Sequence, residues 1–140
     1  MSWFKRWEPK IAGHKTSTEL RPILKDLAPD AQLIFDDKTY FIPDDPEDVI
    51  YRINSKSFRY IKQSRDCDDG TRIFRGKLSE RGFGNLLAMD CTFYYFSKSK
   101  NKKVFHKAIA FLHEGRILFG EPQTGKIVKY EQVKIIRLII

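Results

Sequence analysis

Two cysteines occur in the chain, and one of them, Cys67, sits in the acidic run Asp66-Cys67-Asp68-Asp69. Cysteine attacks as the thiolate, and a free thiol with a pKa of about 8.5 is mostly protonated at neutral pH. A helix N-terminus and a nearby imidazolium both favour the thiolate. The three aspartates oppose it, because like charge raises a thiol pKa. Arg65, Arg72, the helix dipole or a bound cation would offset them. Of the histidines His14, His106 and His113, only His106 lies within a strongly apolar run, Val104–Leu112. Spacing alone favours a hydrogen-bonded structural role for it. A catalytic imidazole needs an acceptor for its second nitrogen, and Glu121 is the carboxylate suited to that.

The link between His106 and Glu121 depends on strand register. If Glu114-Gly115 forms a two-residue hairpin turn, His113 pairs with Arg116, Ala108 faces Glu121 and His106 faces Gln123. Glu121 is then diagonal to His106 on one face. A three-residue loop would shift the register and send Glu121 to the other face. Glu121-Pro122-Gln123-Thr124-Gly125 also reads as an ordinary β-turn, and Pro122 could bend the strand.

The elements that must carry these residues follow from periodicity and turn chemistry. Ser17 or Thr18 caps a short helix over residues 17–27, with Pro22 in its first turn and Pro29 beyond its end. Gln32–Phe35 and Thr39–Ile42, joined by Asp36-Asp37-Lys38, read as a hairpin. A second helix begins near Pro43–Asp48 and turns Val49, Ile50 and Ile53 inward. A central helix spans Asp66–Arg81, with Gly82 as its terminator. Its face Cys67, Gly70, Phe74, Leu78 fits the small-residue side of the His106 strand, where Ala108 and Ala110 stand. Strands then follow at Cys91–Phe96, Val104–Leu112, Arg116–Gly120, Ile127–Tyr130 and Val133–Ile139. Their short connections predict a largely antiparallel sheet, and so an α+β fold. Cys91, inside Cys-Thr-Phe-Tyr-Tyr-Phe, reads as a buried core thiol.

At 140 residues, with 41% hydrophobic and 31% charged residues, the chain has the composition of one globular domain. No apolar run is long enough for a membrane span and no secretory signal pattern opens the chain, so a cytoplasmic location without membrane partners is expected. The composition sets no oligomeric state. The net charge of +8 is uneven: residues 1–70 hold 12 Lys/Arg against 13 Asp/Glu, and residues 71–140 hold 14 against 5. The densest cluster, Lys98, Lys100, Lys102 and Lys103, could meet phosphates or an acidic partner. Beside Ser97, Ser99 and Asn101 it also reads as a solvated hairpin tip.

The order of helix-borne Cys67, strand-borne His106 and acid at the next strand end resembles the papain-like and transglutaminase-like cysteine peptidase fold. More narrowly, Asp66-Cys67-Asp68-Asp69, His106 and Glu121–Gly125, with the upstream Asp37–Pro43, resemble the papain-like C-terminal domain of mushroom agglutinin and small phage proteins related to it. The resemblance covers residues 32–130 and leaves 1–31 as an N-terminal extension. It implies a central Cys-bearing helix on a mainly antiparallel sheet, with Cys67 as nucleophile, His106 as general base and Glu121 orienting the imidazole. It also implies a peptide or protein substrate and, if the chain is phage-encoded, action in the host cytoplasm. The Cys67 amide or Gln63 would supply the oxyanion donor. The agglutinin domain is calcium-dependent, which gives Asp66, Asp68 and Asp69 a role as calcium ligands, although the triad chemistry itself needs no cofactor. Gly70-Thr71 and Lys107 depart from the family pattern. The alternative reading is a catalytically silent protein of the same fold that binds a host protein or nucleic acid through the basic cluster.

Overall fold

Alternating apolar residues in the second half build the frame, and helices cover both of its faces. The structure, a computed structural model, describes residues 7–54 and 67–140; for Cys67 and Asp68 it gives their place in a helix and nothing of their side chains. The elements in order are β1 (Ile11–Thr16), α1 (Ser17–Leu27), β2 (Gln32–Ile34), β3 (Thr39–Pro43), α2 (Pro46–Ile53), α3 (Cys67–Glu80), β4 (Met89–Ser97), β5 (Lys102–His113), β6 (Arg116–Glu121), β7 (Lys126–Val128) and β8 (Glu131–Ile139). Strands β2-β8-β4-β5-β6-β7 form a six-stranded sheet, and β1-β3 form a separate ribbon. Among the described strands every pairing is antiparallel except β2 with β8. The architecture is therefore α+β.

Side chains alternate across a strand, so successive residues of β5 serve different cores. Ala108, Ala110 and Leu112 join Cys91, Phe93 and Leu138 with Leu20 and Leu24 of α1. Ile109 and Phe111 join Val49, Ile50 and Ile53 of α2 and Phe74 and Leu78 of α3. This corrects the packing expected for α3. Its buried face does contain Gly70, Phe74 and Leu78, but it rests on the Ile109/Phe111 side, where the Phe74 and Phe111 rings meet edge to face at 6.5 Å. The alanine side is filled by α1. Large apolar side chains offer a helix more area to bury than two methyl groups do.

The hairpin expected over residues 32–42 is also corrected. β2 runs parallel to β8, with Gln32 opposite Arg137, and β3 pairs instead with β1. The intervening acidic turn is drawn to the start of α1: Ser17 Oγ donates to Asp37 at 2.7 Å, and the Ser17 amide donates to the Lys38 carbonyl at 3.0 Å. The cap of α1 is Thr16, one residue before those expected, in a capping box with Glu19. Residues 11–27 thus form part of the same fold as the region of resemblance. α2 begins as expected, with Asp45 as its cap and Pro46 in its first turn. Among the described residues, no helix is long and apolar enough to cross a membrane.

Candidate active site

The β5–β6 hairpin turns on two residues in the left-handed region, Glu114 (φ 50°) and Gly115 (φ 74°). Two positive φ values give the tight turn whose twist matches antiparallel strands. Its register sets His113 opposite Arg116 and Ile109 opposite Gly120. One step further, Ala108 faces Glu121, which is the two-residue arrangement considered from the sequence. His106 and Glu121 consequently share a face, and His106 Nε2 lies 2.9 Å from Glu121 Oε2. Their side chains are 22% and 11% exposed, so the pair is shielded but reachable.

Glu121 is held from both its backbone and its side chain. Its carbonyl accepts from the Gly125 amide at 2.8 Å and the Thr124 amide at 3.2 Å, which closes the turn after β6. Gly125 has φ 73°, and a Cβ there would lie 3.1 Å from the Asn54 side chain, so both conformation and space select glycine. On the side chain, the Tyr130 hydroxyl donates to Oε2 at 2.9 Å, the same oxygen that meets His106. The His106 ring sits among Phe93 (5.6 Å), Tyr130 (5.6 Å) and Tyr95 (6.0 Å). These rings restrict its rotation and keep bulk water from the His–Glu bond. Electrostatic interactions are stronger in such surroundings.

The start of α3 converges on the same turn. A Cβ on Gly70 would meet the Gln123 side chain, Cγ at 3.4 Å and Nε2 at 3.6 Å. Gly70 lies one helical turn after Cys67, and Gln123 lies two residues after Glu121. The start of α3 thus touches the turn that follows β6, while His106 and Glu121 themselves stand on the Ala108/Ala110 side of β5, opposite the side on which α3 packs.

The structure brings His106 and Glu121 together and sets Cys67 at the first position of α3. Gln63 and Asp66 lie outside the described residues, as do the side chains of Cys67 and Asp68. The Asp69 carboxylate is 4.0 Å from Arg72, a pair that offsets part of the acidic run. Among the described residues no group of three or more His, Cys, Asp or Glu side chains is spaced for a metal ion. Lys98 and Lys100 occupy the β4–β5 turn, with Lys102 and Lys103 at the start of β5, and all four are exposed. Cys91 is buried in the core, and desolvation, with the Asp90 charge adding to it, pushes its thiol pKa far up. Two members of the site escaped sequence reasoning. Tyr130 read only as a strand end; it stands in the short link between β7 and β8, and no local pattern marked it as a partner of Glu121. Gln123 read as a turn residue, and its signal was the glycine at position 70.

No protein-family model matches the chain, and no curated protein matches it. Among solved structures, it is similar to the PSL1a-E64 complex, with a TM-score of 0.62 and 22% identity. The match covers 91% of this chain and 50% of that one, so the chain spans about half the length of its structural neighbour. At that identity the likeness shows a shared fold.

Proposed function

We propose that the chain is a cysteine hydrolase of the papain-like fold, acting on peptide bonds through Cys67, His106 and Glu121. The observation that carries this reading is the 2.9 Å contact of His106 Nε2 with Glu121 Oε2, close to the turn that packs on Gly70, one turn into the Cys67 helix. With Nε2–H donated to Glu121, Nδ1 is the nitrogen left for proton exchange. Nδ1 takes the Cys67 proton as sulfur attacks the substrate carbonyl, and the resulting imidazolium is stabilised by the Glu121 carboxylate. The same proton passes to the leaving amine, which leaves a thioester on Cys67. Water then gives a proton to Nδ1, its hydroxide adds to the thioester carbonyl, and the acid product departs as the proton returns to sulfur. Backbone amides at the start of α3 are suited to the oxyanion, with Gln63 as a further donor. E64, held by the structural neighbour, is an inhibitor of cysteine proteases, which supports the same chemistry in this fold.

The reaction can be tested with E64 itself. Incubation of the chain with E64 followed by peptide mass mapping should give one adduct, on Cys67, absent from the His106→Ala variant over the same time. Hydrolysis of a mixed peptide library should be lost in Cys67→Ala. Unmodified Cys67 after prolonged incubation, together with library hydrolysis unchanged in Cys67→Ala, would overturn the assignment.

A further inference from the structure

The part of the sheet that α3 leaves uncovered has a composition suited to a ligand of its own. α3 covers the side of β5 that carries Ile109 and Phe111. Further toward the β4–β5 turn, that side carries Phe105 and Lys103, by strand alternation. Tyr94 stands directly opposite Phe105, their rings 5.3 Å apart, and they are 40% and 53% exposed. Cations flank the pair on both sides. Lys103 is next on β5, and on β8 Lys134 stands opposite Tyr94 and Arg137 opposite Thr92. All three are exposed. Glu131, opposite Phe96, is the carboxylate at the rim. β5 and β8 lie on either side of β4, so Lys103, in line with Phe105 on β5, is about 10 Å from the Lys134 and Arg137 strand, with Tyr94 between them on β4.

We propose that this face, formed by Lys103, Phe105, Tyr94, Lys134 and Arg137, binds single-stranded nucleic acid. A single strand offers a flat aromatic base and one negative charge per nucleotide, the two features this surface can meet. Bases stack on exposed aromatic side chains of an open sheet, while lysine and arginine neutralise the backbone. An acidic polypeptide would engage the cations and leave both rings in water. The site is separate from the Cys67–His106–Glu121 group, and its lysines are, apart from Lys103, different from those in the hairpin tip.

Fluorescence anisotropy of labelled dT12 and U12 with the full chain tests the proposal, with salt varied. Binding should weaken linearly in log[salt], and Tyr94→Leu/Phe105→Leu should weaken it by about tenfold with the salt slope unchanged. The leucines keep apolar cover and remove only the π-faces, so a melting temperature near that of the parent chain shows that the fold is retained. Lys103→Ala/Lys134→Ala/Arg137→Ala should weaken binding and reduce the slope by about 2, since each phosphate contact contributes about 0.7 for a single strand. Three results would overturn the proposal: no binding at low salt, full affinity in the folded double-leucine variant, or poly-glutamate competing as well as the oligonucleotides.

Discussion

At the scale of single residues, the site is a chain of two hydrogen bonds that meet on one oxygen. Tyr130 and His106 both donate to Glu121 Oε2, at 2.9 Å each. An amide oxygen in the same position can accept both, whereas alanine can accept neither. Glu121→Gln should therefore slow E64 inactivation of Cys67 by about tenfold, and Glu121→Ala by about a hundredfold, since a hydrogen bond to a charged group contributes about 1.5–3 kcal/mol. Equal rates in the two variants would show that the carboxylate oxygen does not orient the imidazole. Tyr130→Phe keeps the ring that packs on Phe93, Tyr95 and Phe119 and removes only the hydroxyl. It should lower kcat for peptide hydrolysis by about tenfold with KM unchanged, the pattern of a group that acts on the transition state by positioning another. A rise in KM with constant kcat would assign Tyr130 to substrate binding instead.

At the scale of elements, glycines set how closely the helices approach the sheet. A Cβ on Gly120 would lie 2.9 Å from Ile50 Cδ1 and 2.9 Å from Phe111 Cε2, both in the core between α2 and the sheet. Gly120→Ala should cost about 1–3 kcal/mol in urea unfolding, the usual cost of overpacking. An unchanged midpoint would mean that α2 shifts freely on β6. Much of this level was legible in the sequence. Pro46 with its acidic neighbours marked the start of α2, and Glu114-Gly115 marked the turn that fixes Glu121. The rest depended on contacts between distant segments. The partner of β2 was not legible because a strand of three residues carries little pairing information, and β8 lies about a hundred residues further along. β1, Ile-Ala-Gly-His-Lys-Thr, has no clear alternation and is a strand because β3 pairs with it. The side of β5 on which α3 packs was misread from two alanines, since small residues admit close packing by any helix. The His–Glu pairing was readable because it depended on one local turn, and Tyr130 was not because it reaches Glu121 from the link between β7 and β8.

At the scale of the whole molecule, burial decides which groups hold their protons. Cys91 is buried in the larger core, its thiol pKa raised mainly by desolvation, and Tyr40, fully buried, has its phenol raised by the same cause. Both groups keep their protons more tightly in the folded state than in the unfolded chain. Their contribution is complete below the unfolded pKa values of about 8.5 and 10 and is lost as pH rises above them. Denaturant melts should thus show stability falling above about pH 8.5, at up to about 1.4 kcal/mol per pH unit for each group. Cys91→Ala should flatten the first part of that fall; an identical pH profile in this variant would contradict the assignment to Cys91. The same burial makes Cys91 an internal control for Cys67. The most direct test of the proposed nucleophile is the rate of iodoacetamide alkylation of each cysteine near pH 7, read by mass spectrometry in the parent chain and in His106→Ala. Cys67 should react about a hundredfold faster than Cys91, and the loss of His106 should slow Cys67 by at least about tenfold, as expected when a general base is removed. Equal, slow labelling of both cysteines, unchanged by His106→Ala, would contradict a Cys67–His106 pair.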